Sequence, residues 1–253
     1  MALSFDQVTA VVLAGGFGTR IRHLLPNLPK PMAPVAGRPF VEWVVRFLAA
    51  QGIRNVLIST GYLAEKIEAY FRRARIGAVS VRCFPETTPL GTAGGFLNAA
   101  RQSGENPAAW LVLNGDSLIL TRLSVMSEAL DSTDVGICVL GLDVPDASRY
   151  GTLERDANDR LRRFSEKKPG AATINAGVYL IRSALIPSFP EKRPLSFEQD
   201  AFPVLLNQGV GMQVAREEAP FLDIGTEASL KEAEDFILQN QDHFYIGRVA
   251  EDR

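Results

Sequence analysis

The chain predicts an α/β fold: a Rossmann-like, mostly parallel sheet flanked by helices, with a small antiparallel insertion. Three observations lead there. Apolar β-branched runs are repeatedly followed by stretches with helical spacing, and strands alternating with helices wind right-handedly into a parallel sheet. Apolar residues make up 46% of the 253, enough for the core of one sizeable α/β domain. The alternation breaks at Tyr150-Gly151-Thr152-Leu153-Glu154 and residues 160–165. These flank the turn-rich Asp156-Ala157-Asn158-Asp159 and read as an antiparallel hairpin.

Each element has its own warrant. Residues 8–13 are an apolar run suited to a strand buried on both faces. Residues 40–50 read as a helix that is apolar nearly all round (Val41, Trp43, Val44, Val45, Phe47, Leu48) and hence deeply buried. Pro39 starts it and Gly52 ends it. Residues 55–59 are the second strand; Leu63, Ile67, Tyr70 and Phe71 then recur at helical spacing, and 79–84 is the third strand. Ala93, Phe96, Leu97 and Ala100 form one face of a helix with Thr92 as its expected N-cap. Residues 110–113 are the fourth strand, Leu123, Met126 and Leu130 mark a short helix, and 135–140 and 178–181 are further strands. Ser196-Phe197-Glu198-Gln199 fits a capping box. Phe197, Ala201, Val204 and Leu205 give the helix after it an apolar face, which Pro203 should kink or split. Thr226 is placed to cap the last helix, faced by Leu230, Ala233, Phe236 and Ile237, and the polar tail 247–253 should fray.

Composition excludes several classes. A net charge of −2 leaves no nucleic-acid footprint, so a polyphosphate site has to be a local positive patch. No apolar run reaches membrane-spanning length, and the first residues lack a basic n-region and a signal-peptide core. Cys83 and Cys138 sit in apolar strand-like runs and read as buried free thiols, which suits the cytoplasm. His23 and His243 cannot build a His-rich metal site. Nucleic acid and membrane are therefore not expected partners, while a homo-oligomer stays open.

The chemistry is organised by Leu13-Ala14-Gly15-Gly16-Phe17-Gly18-Thr19-Arg20 and by Pro29-Lys30-Pro31-Met32. Glycines let the backbone bend sharply, approach a ligand closely and turn N–H groups toward an anion. Arg20 and Lys30 add two cations, and the sum is a phosphate cradle. A P-loop would need Lys-Ser or Lys-Thr after its last glycine, and the dinucleotide fingerprint needs G-x-G-x-x-G; neither spacing is present. Other stretches carry structural readings of their own. Pro89-Leu90-Gly91 is a turn feeding a helix, and Asn114-Gly115 a turn. Glu166-Lys167-Lys168 is a solvated charge run, Glu198 belongs to a first helical turn, and Asp223 to a helix approach.

Taken together, these residues resemble the signature of the sugar-phosphate nucleotidyltransferases. That family joins a nucleoside triphosphate to a sugar 1-phosphate and releases pyrophosphate. The resemblance implies that Leu13, Ala14, Gly15, Gly16, Gly18 and Thr19 wrap the triphosphate, and that Arg20 and Lys30 are catalytic, stabilising charge on the reacting phosphates. Glu86, Gly91, Thr92 and Gly115 complete the nucleotide site. Asp116, at a strand's carboxyl end where open α/β sheets bind ligands, would hold Mg²⁺ together with Asp223 of Asp223-Ile224-Gly225-Thr226. Gly151, Glu166, Lys167, Asn175, Gly177 and Glu198 would surround the sugar phosphate. One domain covers 1–253, with a nucleotide-binding part over about 1–142 and a sugar-phosphate part over about 143–245. The hexapeptide-repeat β-helix of some relatives, and with it a second acyltransferase activity, is not expected.

Residues 13–22, 29–40, 89–95 and 114–117 most resemble the D-glycero-D-manno-heptose 1-phosphate guanylyltransferases, with mannose 1-phosphate guanylyltransferases next. GTP and the heptose 1-phosphate are thus the expected substrates. His23-Leu24-Leu25 stands where many relatives have Pro-Leu-Thr, which argues against a generic glucose 1-phosphate thymidylyl-, uridylyl- or cytidylyltransferase. An inactive regulatory subunit that only binds sugar nucleotides would be expected to have lost Arg20, Lys30 or an aspartate; all are present.

Overall fold

The β-branched run at the N-terminus becomes β1 (Val8–Ala14), a central strand of a nine-stranded sheet. In the computed structural model, which describes residues 3–246, β1 pairs in parallel with β4 (Asn55–Thr60) and β6 (Ala109–Asn114), and β5 (Ser80–Pro85) adds in parallel at the edge. Alternation sorts the side chains into two layers. Val8, Ala10, Val12 and Ala14 pack into one apolar cluster; Val11 faces a second, with Trp110 and Val112 of β6.

The helices follow from local signals. A short ribbon, β2 (Pro34–Val35) with β3 (Arg38–Pro39), leads into α1 (Phe40–Ala50), whose Phe40, Val41, Val44, Val45, Phe47 and Leu48 are buried. α2 (Ala64–Phe71) begins after Leu63, whose φ of 54° marks a sharp left-handed turn out of β4. α3 (Thr92–Ser103) packs Phe96 and Ala100 against the second cluster. Gly91, not Thr92, occupies its N-cap position. Its φ is 78°, and a Cβ there would sit 2.5 Å from the Leu195 carbonyl oxygen. Thr92 is the first helical residue, and its Oγ1 accepts from the Phe197 N–H at 3.0 Å, tying two distant segments together.

Beyond β6 the sheet turns antiparallel. β11 (Ala172–Arg182) pairs with β6 and with β8 (Val135–Val144), and β8 takes β12 (Gly211–Glu217) in parallel. The expected hairpin is β9 (Thr152–Arg155) with β10 (Leu161–Ser165), and it joins β11 where Ile174 meets Thr152. The antiparallel part is therefore larger than that hairpin. β7 (Ser117–Ile119) pairs with β13 (Phe221–Asp223), setting Asp223 opposite Ser117. α4 (Ser124–Ala129) covers β8.

The helix around Pro203 is split, as its missing N–H requires. A π-turn over Phe197–Ala201 closes with Ala201 N–H to the Ser196 carbonyl at 2.9 Å and passes into α5 (Phe202–Asn207). Only half of the expected capping box forms. Ser196 Oγ accepts from Gln199 N–H, but the return bond to Ser196 N–H comes from Asp200, because the wider π-turn shifts the register. α6 (Glu227–Gln239) starts from a full box of Thr226 and Ser229. Cys138 is buried, whereas Cys83, on edge strand β5, is half-buried; both are free thiols. Among the described residues no helix is long and apolar enough to cross a membrane. The tail expected to fray, 247–253, lies outside the described residues.

Candidate active site

The glycine loop leaves the carboxyl end of β1, and Asn114-Gly115-Asp116 leaves that of the neighbouring parallel strand β6. The two are in contact: Gly115 N–H donates to the Leu13 carbonyl at 2.8 Å, and a Cβ on Gly115 would sit 2.8 Å from that oxygen. Asp116 and the glycine loop therefore share one sheet edge, as the parallel pairing requires.

Asp223 reaches the same point through the β7–β13 ribbon. Lys30 Nζ lies 2.7 Å from Asp116 Oδ2 and 3.5 Å from Asp223 Oδ1. The lysine is only 8% exposed. Pro29 is extended and Lys30–Met32 forms a 3₁₀ turn. Gly18, at φ 57°, lies so close that a Cβ would stand 2.8 Å from Lys30 Cβ. Residues 86 and 193 positions apart thus converge on one ammonium. Around it lies a cleft of about 200 Å³ lined by Leu13, Ala14, Gly16, Gly18, Thr19, Arg20, Lys30 and Asp116. Arg20 is an exposed member of that wall.

A second cleft, of about 360 Å³, shares Leu13, Gly16 and Asp116 with the first and continues along Gly15, Phe17, Glu86, Gly91, Thr92 and Asn114. Glu86 is held in place. Oε1 accepts from Ser59 Oγ at 2.9 Å and Oε2 from Leu90 N–H at 2.9 Å. Its carboxylate fills the space that side chains at Gly15 and Gly95 would need, their Cβ atoms falling 2.7 and 2.6 Å from Oε1. Leu195 secures this loop from behind. It donates to the Leu90 carbonyl at 2.7 Å and accepts from Ala93 and Gly94 at 3.0 and 3.1 Å.

The sugar-phosphate candidates fall into two groups. Asn175 and Glu198 meet at Tyr179, whose hydroxyl donates to Glu198 Oε1 at 2.6 Å and accepts from Asn175 Nδ2 at 2.8 Å. Burial, and then the Glu198 carboxylate, push the Tyr179 phenol well above its ordinary range, so it remains a donor. Gly177 sits in the bulge of β11 at φ 72°, where a Cβ would fall 2.2 Å from Asn114 Nδ2. Gly151 accepts from Asn175 N–H at 3.0 Å. Glu166 and Lys167, by contrast, are exposed past β10, and among the described residues neither side chain has a partner. Tyr150 lies beside this region, its ring 5.6 Å from that of Phe221 and under the Arg149 guanidinium. Burial raises its phenol, Arg149 and Arg20 pull it down and Asp223 raises it.

Gly177→Ala should cost about 2 kcal/mol or more, since an alanine is strained in the left-handed region and meets the Asn114 amide. The check is thermal unfolding, and an unchanged melting temperature would show that the bulge relaxes freely. Tyr179, Ser59 and Leu195 escaped the sequence reading, and Asn114 was read there only as part of a turn and of the resemblance. A phenol inside the apolar run of β11 was a usable signal, because a buried hydroxyl needs a partner. Leu195 acts through its backbone alone and carries none.

Residues 9–240 match the nucleotidyl transferase family. The chain belongs to that family. It is 37% identical to the D-glycero-alpha-D-manno-heptose 1-phosphate guanylyltransferase of Aneurinibacillus thermoaerophilus, over 76% of this chain and 82% of that one. The Campylobacter jejuni protein of the same name is 35% identical over 75% and 83%. Mannose-1-phosphate guanylyltransferase of Mycobacterium tuberculosis is 35% identical over 82% of this chain, and the match spans 58% of that longer protein. The crystal structure of HddC from Yersinia pseudotuberculosis complexed with GMP-PN superposes with a TM-score of 0.77 at 29% identity, covering 90% of this chain and 98% of that one.

Proposed function

We propose that the chain transfers GMP from GTP to a sugar 1-phosphate, D-glycero-D-manno-heptose 1-phosphate by preference, and releases pyrophosphate. The observation that carries this reading is the convergence of Lys30, Asp116 and Asp223 at the mouth of a glycine phosphate cradle. Two carboxylates, one from the turn between β6 and β7 and one from β13, are directed at one cation, and Mg²⁺ is commonly held by one or two carboxylates together with substrate phosphates. The donor set fits, and Asp116 and Asp223 would hold the ion. When bound, Mg²⁺ supplies charge neutralisation and polarises phosphate oxygens.

The remaining work falls to this chain's residues. Backbone amides of the 15–19 loop receive the triphosphate, and Arg20 and Lys30 stabilise charge that grows as the acceptor oxygen attacks the α-phosphorus. A sugar 1-phosphate oxygen is already ionised, so no protein nucleophile or general base is required. Asn175 and Glu198, fixed by Tyr179, offer a donor and an acceptor to sugar hydroxyls. A carboxylate can accept about four hydrogen bonds. Ser59 and Leu90 occupy two on Glu86, and the others suit guanine's N1–H and N2 amino group. The same carboxylate repels the carbonyl oxygens of uracil or thymine. The two free thiols suit a cytoplasmic setting.

The test is pyrophosphate release, as kcat/KM, for GTP, UTP, CTP, ATP and dTTP against heptose, mannose and glucose 1-phosphates. GTP with the heptose should rank first, and Glu86→Gln should erase at least about tenfold of the GTP preference, because an amide matches the guanine donors less well. Preference for mannose would move the acceptor assignment to the second guanylyltransferase group. Preference for UTP or dTTP with glucose 1-phosphate would overturn both substrate assignments. No release with any pair would leave a binding protein without this activity.

A further inference from the structure

The glycine loop has little to hold it in shape. Residues 15–20 form no regular element, Gly16, Phe17, Thr19 and Arg20 are exposed, and Ile21 N–H to the Gly18 carbonyl, at 3.2 Å, is the turn bond within it. Ordering such a segment around a triphosphate carries an entropic cost that preorganisation lowers.

Tyr62, in the turn between β4 and α2, makes three contacts with this loop and the residue just beyond it. Its N–H donates to the Gly15 carbonyl at 3.3 Å. Gly61 beside it permits that approach, since a Cβ there would lie 2.6 Å from the same oxygen. The Tyr62 ring packs on the Phe17 ring with centroids 5.8 Å apart. The Arg22 guanidinium lies over the Tyr62 ring, 4.7 Å from its centroid. Phe17 and Arg22 bracket Gly18, Thr19 and Arg20. One aromatic ring therefore grips both ends of the segment that carries the phosphate-facing arginine. The tyrosine hydroxyl has no partner among the described residues, so the ring is the working part. Phe17 also lines the larger cleft, which couples the brace to the nucleotide side of the site.

We propose that Tyr62 is a positioning residue for the nucleotide: its ring holds Phe17 and Arg22 so that the loop and Arg20 stand ready for the triphosphate. The proposal rests on the nucleotidyl-transfer reading for the identity of that ligand. It places Tyr62 outside the reacting atoms and assigns its effect to nucleotide affinity, leaving the sugar phosphate side untouched.

The experiment is calorimetric titration of the whole chain with GTP and Mg²⁺, alongside steady-state KM for each substrate. An aromatic pair and a cation–π contact together predict that Tyr62→Ala weakens GTP binding about tenfold. Tyr62→Phe should bind like wild type, because the ring is kept. The KM for the sugar 1-phosphate should stay within about twofold in both, as expected for sites with no shared partners. Arg22→Gln should weaken GTP binding in the wild-type background and add little in Tyr62→Ala, a non-additivity that a direct Arg22–phosphate contact would not produce. If Tyr62→Ala fails to fold, Tyr62→Leu keeps the bulk and removes the ring. Wild-type affinity in a folded Tyr62→Ala or Tyr62→Leu, loss of affinity in Tyr62→Phe, or strict additivity with Arg22→Gln would overturn the brace alone. A wild type that binds neither GTP nor any other nucleoside triphosphate would overturn the transfer reading and the brace with it.

Discussion

Asp116→Asn and Asp223→Asn should each reduce Mg²⁺-dependent pyrophosphate release by about 10²-fold or more while leaving the fold in place, on the scale of losing one preorganised electrostatic contact in a transition state. The substitutions are nearly isosteric. Asp223 is held by the β7–β13 ribbon and by a turn in which a Cβ on Gly225 would come within 2.8 Å of its Oδ1, and an amide fits the same space. What changes is the ligand chemistry: a neutral amide is a poorer donor to a hard cation than a carboxylate. Each change also leaves one aspartate to pair with the Lys30 ammonium. A second readout separates metal loss from general damage. Mn²⁺ bound in the presence of GTP, followed by its electron paramagnetic resonance, should fall in both variants, with melting temperatures close to wild type. Full activity of the wild type in EDTA would remove the metal from the reading altogether.

How far the fold was legible depends on how local each signal is. α1 was readable to both ends because Pro39, the apolar run and Gly52 lie within one short segment. The parallel core followed from β-branched runs alternating with helical ones. The antiparallel half was read only at its hairpin, since β8 and β11 are long buried strands whose direction comes from distant partners. Site residues divide the same way. Gly15, Gly18, Arg20 and Lys30 announce themselves by type and spacing. That Asp116 and Asp223 would act together, on a metal ion, could be stated only through the resemblance, because no local pattern relates positions so far apart; that both also reach Lys30 was not legible at all. Thr92 shows the limit from the other side. Its residue type fits an N-cap, but the left-handed Gly91 took that position and the hydroxyl was recruited by Phe197, 105 residues away. Glu86 entered the site only through the resemblance; its fixation by Ser59 and by the room left at Gly15 and Gly95 was not legible.

Lys30→Ala should lower kcat by about 10²–10³-fold, or ~3–4 kcal/mol, the scale of losing one preorganised donor in a transition state. Arg20→Ala should fall in the same range with less effect on stability. The asymmetry follows from burial. Arg20 is exposed, so its removal leaves no group stranded. Lys30 is buried, and its ammonium is the cation shared by Asp116 and Asp223. Removing it leaves two carboxylates facing each other, and breaking a part-buried ion pair on one side is destabilising. Lys30→Ala should therefore melt lower than wild type without Mg²⁺ and recover part of the loss when Mg²⁺ is added, since the ion can then serve both aspartates. Turnover should not recover with it, because the charge lost from the transition state belongs to the lysine. Lys30→Arg should not rescue activity. A planar guanidinium is larger than a point-like ammonium, and Gly18 already packs against the Lys30 stem, where a Cβ would come within 2.8 Å. Turnover by Lys30→Ala within about threefold of wild type, far from the loss expected of a transition-state donor, would reduce Lys30 to a counter-ion for the aspartates and remove it from the catalytic set.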